Sequence, residues 1–329
     1  MPPLPLTLAV NESDQVRDLV LGRVAVQGVE LTALALPVEE IFFRFTRFRE
    51  WEVSELSLAK FAHLRARGDE SLVAIPAFTS RAFRHSAIFV RGDGAITQPE
   101  QLRGARIGIP EWTQTATVYA RGVLAHDYGV PLDGVEWIQA GTNEPGRTEG
   151  ARFTPPAGVR ITAVPDRSLN DMLLDGTIDA LIAAHPPTGA TGAGSKIVRL
   201  FADFEDVEEA YYRRTGVFPI MHLVAIRRDV FDAHPWVAAE LLKAFEEAKR
   251  RSIARMIDPN APFTPVPWGW SRAQRAQALM GADFWPYGIE PNRRTLETFL
   301  KLAHEQGVCE RLLEPDELFV DEVRSGFRI

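Results

Sequence analysis

Arg81-Ala82-Phe83-Arg84-His85-Ser86 places two guanidiniums and an imidazole within five residues. Guanidiniums grip carboxylates through paired N–H groups, and an imidazole moves protons near neutral pH. The hexapeptide therefore suits a small anion that exchanges a proton, although the same residues also fit a solvated basic turn around a structural histidine. Ser54-Glu55-Leu56-Ser57 adds a carboxylate between two hydroxyls, a pattern that serves chemistry or helix capping equally well. In Pro110-Glu111-Trp112-Thr113-Gln114-Thr115, hydroxyls and an amide stand where a helix would begin. Free N–H groups and the positive end of the helix dipole favour a carboxylate or phosphate there, and plain capping is the alternative. Ala184-His185-Pro186 and Phe218-Pro219-Ile220-Met221-His222 contribute two further imidazoles, each equally open to a structural role.

The elements that must position these groups follow from periodicity. Strands are expected at 4–10, 29–35, 51–55 and 71–76, and helices at 14–22, 37–49 and from Ser57 onward. Pro37 fits a first helical turn, where a missing N–H costs little. Phe42, Phe43, Phe45 and Phe48 on that helix read as core packing, and Arg44, Arg47 and Arg49 as its solvated face or a subunit contact. A short strand at 87–90 closes this series, and the Arg91-Gly92-Asp93-Gly94 break separates it from a second one. The second has strands at 103–109, 135–139 and 178–183 and helices at 114–128 and 168–174. Residues 141–158, rich in Gly, Pro and Thr, read as a surface excursion. A strand at 222–228 then leads into helices at 235–257 and 293–306. The expected architecture is α/β and bilobal, with two mainly parallel sheets flanked by helices. Residues 1–91 and 223–329 would form a discontinuous first lobe and 92–222 the second, with a ligand cleft between them. The chemically able segments all fall at predicted strand ends, where open sheets gather ligands.

Composition narrows the field. The chain has 329 residues, 46% hydrophobic and 25% charged, which suits an ordinary globular protein. A formal net charge of −7, with both signs mixed throughout, argues against a nucleic-acid partner. A lone Cys309 forms no disulfide or thiolate cluster, and the seven histidines lack metal-ligand spacing, so no metal is expected. No apolar run is long enough to span a membrane and no targeting segment is evident, so a cytoplasmic protein with no membrane partner is expected. Gly189 to Lys196 superficially resembles a phosphate loop, but its Ser-Lys order is reversed and a strand-like run follows; it reads as a mobile loop with a lid role. Without nucleotide or metalloprotease motifs, no cofactor is expected. The Trp-bearing segments 265–270 and 284–287 can supply contacts for a homo-oligomer or pack on their own lobe.

Six stretches together carry a resemblance: Leu8-Ala9-Val10-Asn11-Glu12-Ser13, Val38-Glu39-Glu40-Ile41-Phe42-Phe43, Phe48-Arg49-Glu50-Trp51-Glu52-Val53, Arg81 to Ser86, Gly108 to Trp112 and Phe218 to His222. In this order, along nearly the whole chain, they resemble the 4,5-dihydroxyphthalate decarboxylase family. That resemblance implies a type 2 periplasmic-binding-protein-like fold. It also implies non-oxidative loss of CO2 from a hydroxylated aromatic acid, 4,5-dihydroxyphthalate giving protocatechuate. Protonation at the carboxyl-bearing ring carbon, pushed by a para hydroxyl, needs acid–base groups and no redox cofactor. On this reading Arg81 and Arg84 hold carboxylates, assisted by Ser57, Ser86, Glu111, Trp112, Thr113 and Thr115. His85 is the first choice as proton donor. Glu55 or His222 accepts a proton from a ring hydroxyl, with His185 able to replace either. A solute-binding protein for an aromatic carboxylate, or another cytoplasmic lyase of this fold, would use the same cleft.

Overall fold

The computed structural model describes residues 2–190, 194–260 and 265–324. The chain opens with β1 (Leu4–Val10), α1 (Asp14–Val20), β2 (Val29–Ala35), α2 (Val38–Phe48), β3 (Val53–Ser57), α3 (Leu58–Ala66) and β4 (Leu72–Arg81). It continues through β5 (Ile88–Arg91), β6 (Arg106–Ile109), α4 (Thr115–Asp127), β7 (Glu136–Gly141), β8 (Arg160–Ser168), α5 (Leu169–Leu174), β9 (Ala180–Ile182), β10 (Ile197–Arg199) and α6 (Phe204–Thr215). It ends with β11 (Ile220–Arg227), α7 (Arg228–Ala233), α8 (Trp236–Met256), α9 (Gly269–Met280) and α10 (Arg293–Glu305).

Local chemistry explains many of these boundaries. Ser57 and Ser168 each turn a side-chain oxygen onto a first-turn N–H, of Lys60 and Asp171, which starts α3 and α5. Arg49 closes α2 in the left-handed conformation. Along α8, Val237, Leu241, Phe245 and Ala248 recur every three or four residues and form its buried face.

Sheet A runs β2-β1-β3-β11-β4 and sheet B β10-β5-β9-β6-β7-β8. Within sheet A, β1 is parallel to β2 and β3, while β11 is antiparallel to both its neighbours. In sheet B, β6, β7, β8 and β9 are parallel and β5 is antiparallel to β9 and β10. Each sheet thus holds one reversed strand, and these are the two strands that follow a crossing between sheets. As a result, the carboxyl ends of the parallel strands and the amino ends of the reversed ones share an edge. Asn11, Ser57, Arg81 and Ile220 lie at that edge of sheet A.

The crossings come earlier than the sequence led us to expect. β5 pairs in sheet B and β11 already pairs in sheet A at Ile220, so the chain changes sheets within 82–87 and 216–219. The glycine-rich break at 92–94 is a turn after β5 rather than a boundary. β8, α6, α7 and α9 were not foreseen; α9 has no buried residue and α6 only Glu208 and Tyr211, so neither carries a strong apolar stripe. The lid expectation at 189–196 falls partly outside the described residues. Phe284 and Tyr287 are buried and Trp285 Nε1–H donates to Phe78 O at 2.7 Å, so segment 284–287 packs on its own chain. Among the described residues, no helix is long and apolar enough to cross a membrane.

One apolar core runs from Leu8, Val53, Ile75 and Val224 in sheet A to Ile107, Val118 and Tyr119 beyond the crossing. A smaller one gathers Phe89, Leu169, Leu173 and Leu181 around sheet B.

Candidate active site

β3 and β11 lie side by side with Val224 opposite Glu55 and His222 opposite Ser57. Glu55 and His222 are therefore diagonal neighbours, close enough for long side chains to meet. His222 Nδ1 stands 2.6 Å from Glu55 Oε1, and Asn11 N–H, just past β1, donates to Glu55 Oε2 at 2.7 Å. Glu55 is 1% exposed, whereas the His222 side chain keeps 17% of its surface. Burial pushes the Glu55 carboxyl upward most strongly, but the His222 hydrogen bond and charge, the Asn11 N–H and the Thr79 hydroxyl together hold it below the usual range. An ionised Glu55 assigns the Nδ1 proton to His222 and leaves Nε2 for a ligand. The edge of Phe42 meets the imidazole at 4.8 Å and fixes its tilt.

The facing edge of sheet B is tied to the end of β3 and the start of α3. Ser57 Oγ and Thr115 Oγ1 are 2.9 Å apart, and Ala59 N–H donates to the same threonine oxygen, which joins the heads of α3 and α4. Lys60 Nζ lies 3.8 Å from Glu111 Oε2, while Arg147 bonds Glu111 at 2.8 Å. His185 Nε2 is 3.8 Å from Glu39 Oε1, both well exposed. Arg84 donates from Nε–H to Met221 Sδ at 3.2 Å, beside His222, and burial lowers its pKa to about 10. Among the described residues no carboxylate lies within ion-pair reach of Arg84. Ser86 N–H donates to buried Glu208, which anchors the turn His85–Ala87 to α6.

Several expectations need correction. His85 is 2% exposed, with its ring edge-on to Phe201 and Tyr211, and burial lowers its pKa to about 4. Burial favours its neutral form, and the turn at 85–87 sets its ring against α6, away from the Glu55–His222 pair to which the proton-donor expectation would have to move. Arg81 is buried, donating from Nη1 to Phe218 O and from Nη2 to Pro286 O and Asn292 Oδ1, while its Nε has no partner among the described residues; these bonds brace β4 against the segment before α10. Trp112 is buried, stacked on Phe153 and donating to Gln306 O at 2.8 Å. Thr113 Oγ–H donates to Glu149 at 2.6 Å and Thr115 is held by Ser57, so neither hydroxyl is free for a substrate carboxylate.

The structure thus brings together Glu55, His222, Ser57 and Thr115, and leaves His85, Arg81 and Trp112 in supporting positions. Sequence reasoning missed Asn11, Phe42, Lys60 and Glu39. Asn11 was findable, since it directly follows a strand that ends at the ligand edge. Among the described residues no cluster of His, Cys, Asp or Glu is arranged to hold a metal. An open hollow of about 560 Å³ between Arg49, Ser71, Arg227 and Asp232 lies at the opposite end of sheet A, beyond the start of β4 and the end of β11. Its arginines already pair with Asp229, Asp232 and Ser71.

Two α/β units with one reversed strand each define a periplasmic-binding-protein-like fold, with a buried glutamate–histidine pair at the strand ends of the first sheet. The periplasmic aliphatic sulphonate binding protein SsuA of Escherichia coli shares that fold, with a TM-score of 0.55 at 11% identity over 98% of this chain and 99% of that one. No family model matches the chain. It is 36% identical over 330 residues to the 4,5-dihydroxyphthalate decarboxylase of Comamonas testosteroni, covering 100% of both. It is also 36% identical over 211 residues to the enzyme of that name from Pseudomonas putida, covering 64% of this chain and 82% of the relative. The chain belongs to the 4,5-dihydroxyphthalate decarboxylase family, as the resemblance implied.

Proposed function

We propose that the chain is a carboxy-lyase that takes CO2 from 4,5-dihydroxyphthalate and leaves protocatechuate. Kinship over the whole length to the Comamonas enzyme carries this reading, and the buried glutamate–histidine pair supplies the chemistry. The reaction replaces a ring carboxylate with hydrogen and consumes one proton. A hydroxyl para to the leaving carboxylate pushes electrons to the carboxyl-bearing carbon, that carbon is protonated, and loss of CO2 restores aromaticity. The substrate's own hydroxyl supplies the electrons, so the scheme calls for no cofactor. His222 Nε2 delivers or accepts the proton, while Glu55 fixes the imidazole through Nδ1. Arg84, desolvated and with Glu208 acting on it only from beyond ion-pair distance, holds a substrate carboxylate. His185 and Ser57 line the approach. The single buried thiol of Cys309 suits a reducing compartment, and we place the enzyme in the cytoplasm as a homo-oligomer, with exposed Trp268 and Val266 offering apolar surface to a second copy.

The test is CO2 release and ring-product formation from 4,5-dihydroxyphthalate by metal-stripped protein, with and without added divalent cation. Turnover in the stripped sample supports the scheme, and turnover only with metal refutes its cofactor-free form. Tight binding without turnover would favour a solute-binding protein, a reading drawn from the likeness to the sulphonate-binding fold.

A further inference from the structure

The turn before α4 was expected to receive a carboxylate, and it holds one that belongs to the chain. Glu149 Oε2 accepts N–H bonds from Trp112 at 2.6 Å and Thr113 at 3.2 Å. Its Oε1 accepts from Thr113 Oγ–H at 2.6 Å and Ala151 N–H at 3.1 Å. Behind the turn lies Arg121, wholly buried, with Nε–H on Gln306 Oε1 at 2.8 Å, Nη2 on Trp112 O at 2.7 Å and the guanidinium 3.8 Å above the Trp112 ring. Among the described residues its Nη1 has no hydrogen-bond partner, and the charge of Glu149 acts on it. Three backbone N–H groups, two of them on the turn, and a hydroxyl on one carboxylate, with a desolvated cation behind the turn, make a built anion site, independent of the helix end itself.

The segment carrying Glu149 also spans the two lobes. Arg147 bonds Glu111, Phe153 lies parallel to Trp112 at 6.1 Å, and Arg152 O accepts from Arg67 at the end of α3 at 3.1 Å. Thr154 O presses so closely on Gly307, which has φ +70°, that a Cβ there would sit 2.2 Å away.

We propose that Trp112-Thr113 is a carboxylate cradle whose resident ligand is the chain's own Glu149, and that this latch fastens residues 142–158 as a strap across the lobes. Removing the Glu149 side chain beyond Cβ removes a fragment the size of acetate, so the emptied cradle is a site for a small free monocarboxylate.

The experiment is chemical rescue of Glu149→Ala. The variant should melt about 5 °C or more below the parent, and the Trp112 and Thr113 amides should exchange with solvent at least about tenfold faster. Sodium acetate should restore both, sodium chloride at equal ionic strength should not, and the parent should respond to neither. An unchanged melting temperature, or acetate raising parent and variant alike, would overturn the proposal. If Glu149→Ala does not fold, Glu149→Gln keeps the shape but points an amide N–H at donors; it should melt below the parent, and equal stability would overturn the latch. None of these readouts depends on turnover, so their outcome stands apart from the proposed activity.

Discussion

Two histidines show how surroundings decide a residue's role. His222 shares its Nδ1 with an ionised carboxylate and keeps a face toward solvent, whereas His85 sits between aromatic rings with an unpartnered Nδ1. Replacing His222 with Gln should lower kcat by about 10²–10⁴-fold while the fold survives, and Glu55→Gln by about 100-fold, because the imidazole then loses its fixed orientation. Steady-state kinetics on folded samples tests both, and wild-type kcat in either variant removes the pair from the mechanism. His85 should act on stability instead. Its folded-state pKa of about 4 lies below the ordinary 6.5, so the unfolded chain takes up the proton first. Stability from its burial is complete above pH 6.5 and falls by about 3 kcal/mol as pH drops toward 4. Comparison of melting temperature against pH for the parent and His85→Phe should show a flatter acid limb in the variant, with turnover retained. Parallel curves would remove His85 from the acid response.

At the scale of elements, the legible parts were those with strong periodicity. The alternation over residues 4–66, the serine caps of α3 and α5, and the long stripe of α8 all follow from local pattern. The site was legible in its segments but not in its partners. Glu55 and His222 lie 167 residues apart in sequence and meet only because the reversed strand β11 inserts between β3 and β4. Nothing local in Arg81 to Ser86 shows that the first guanidinium faces Asn292 and the imidazole faces Tyr211. The position of Arg81 leads to a stability prediction. Arg81→Met would strand Asn292 Oδ1 and the Phe218 carbonyl, Pro286 O keeping its bond from Asn292 Nδ2, and should cost about 2–4 kcal/mol. Thermal melts should register that loss, while kcat per folded molecule stays within about threefold. A collapse of kcat at unchanged melting temperature would return Arg81 to the substrate site.

For the whole molecule, the decisive question is whether the lobes swing. A solute-binding protein captures its ligand by hinge closure, which requires that few buried contacts cross the hinge. Here the crossing contacts are buried and directional. Ser57 bonds Thr115, Gln306 after α10 donates to Val118 O at 2.9 Å and accepts from Arg121, and Leu302 of α10 fills the space left by Gly122. The larger apolar core is continuous through both sheets. Opening the lobes would orphan several nine-tenths-buried polar groups at once, each costing about 1–3 kcal/mol. The open form should therefore be scarcely populated, and ligand binding should leave the two lobes in place. Small-angle scattering of the protein with and without protocatechuate should give the same radius of gyration within error, and thermal unfolding should be a single transition. The double variant Gln306→Ala, Thr115→Val, which loosens the crossing contacts, should show a ligand-dependent contraction that the parent lacks. Contraction of the parent itself on ligand addition would establish hinge closure and refute the rigid arrangement.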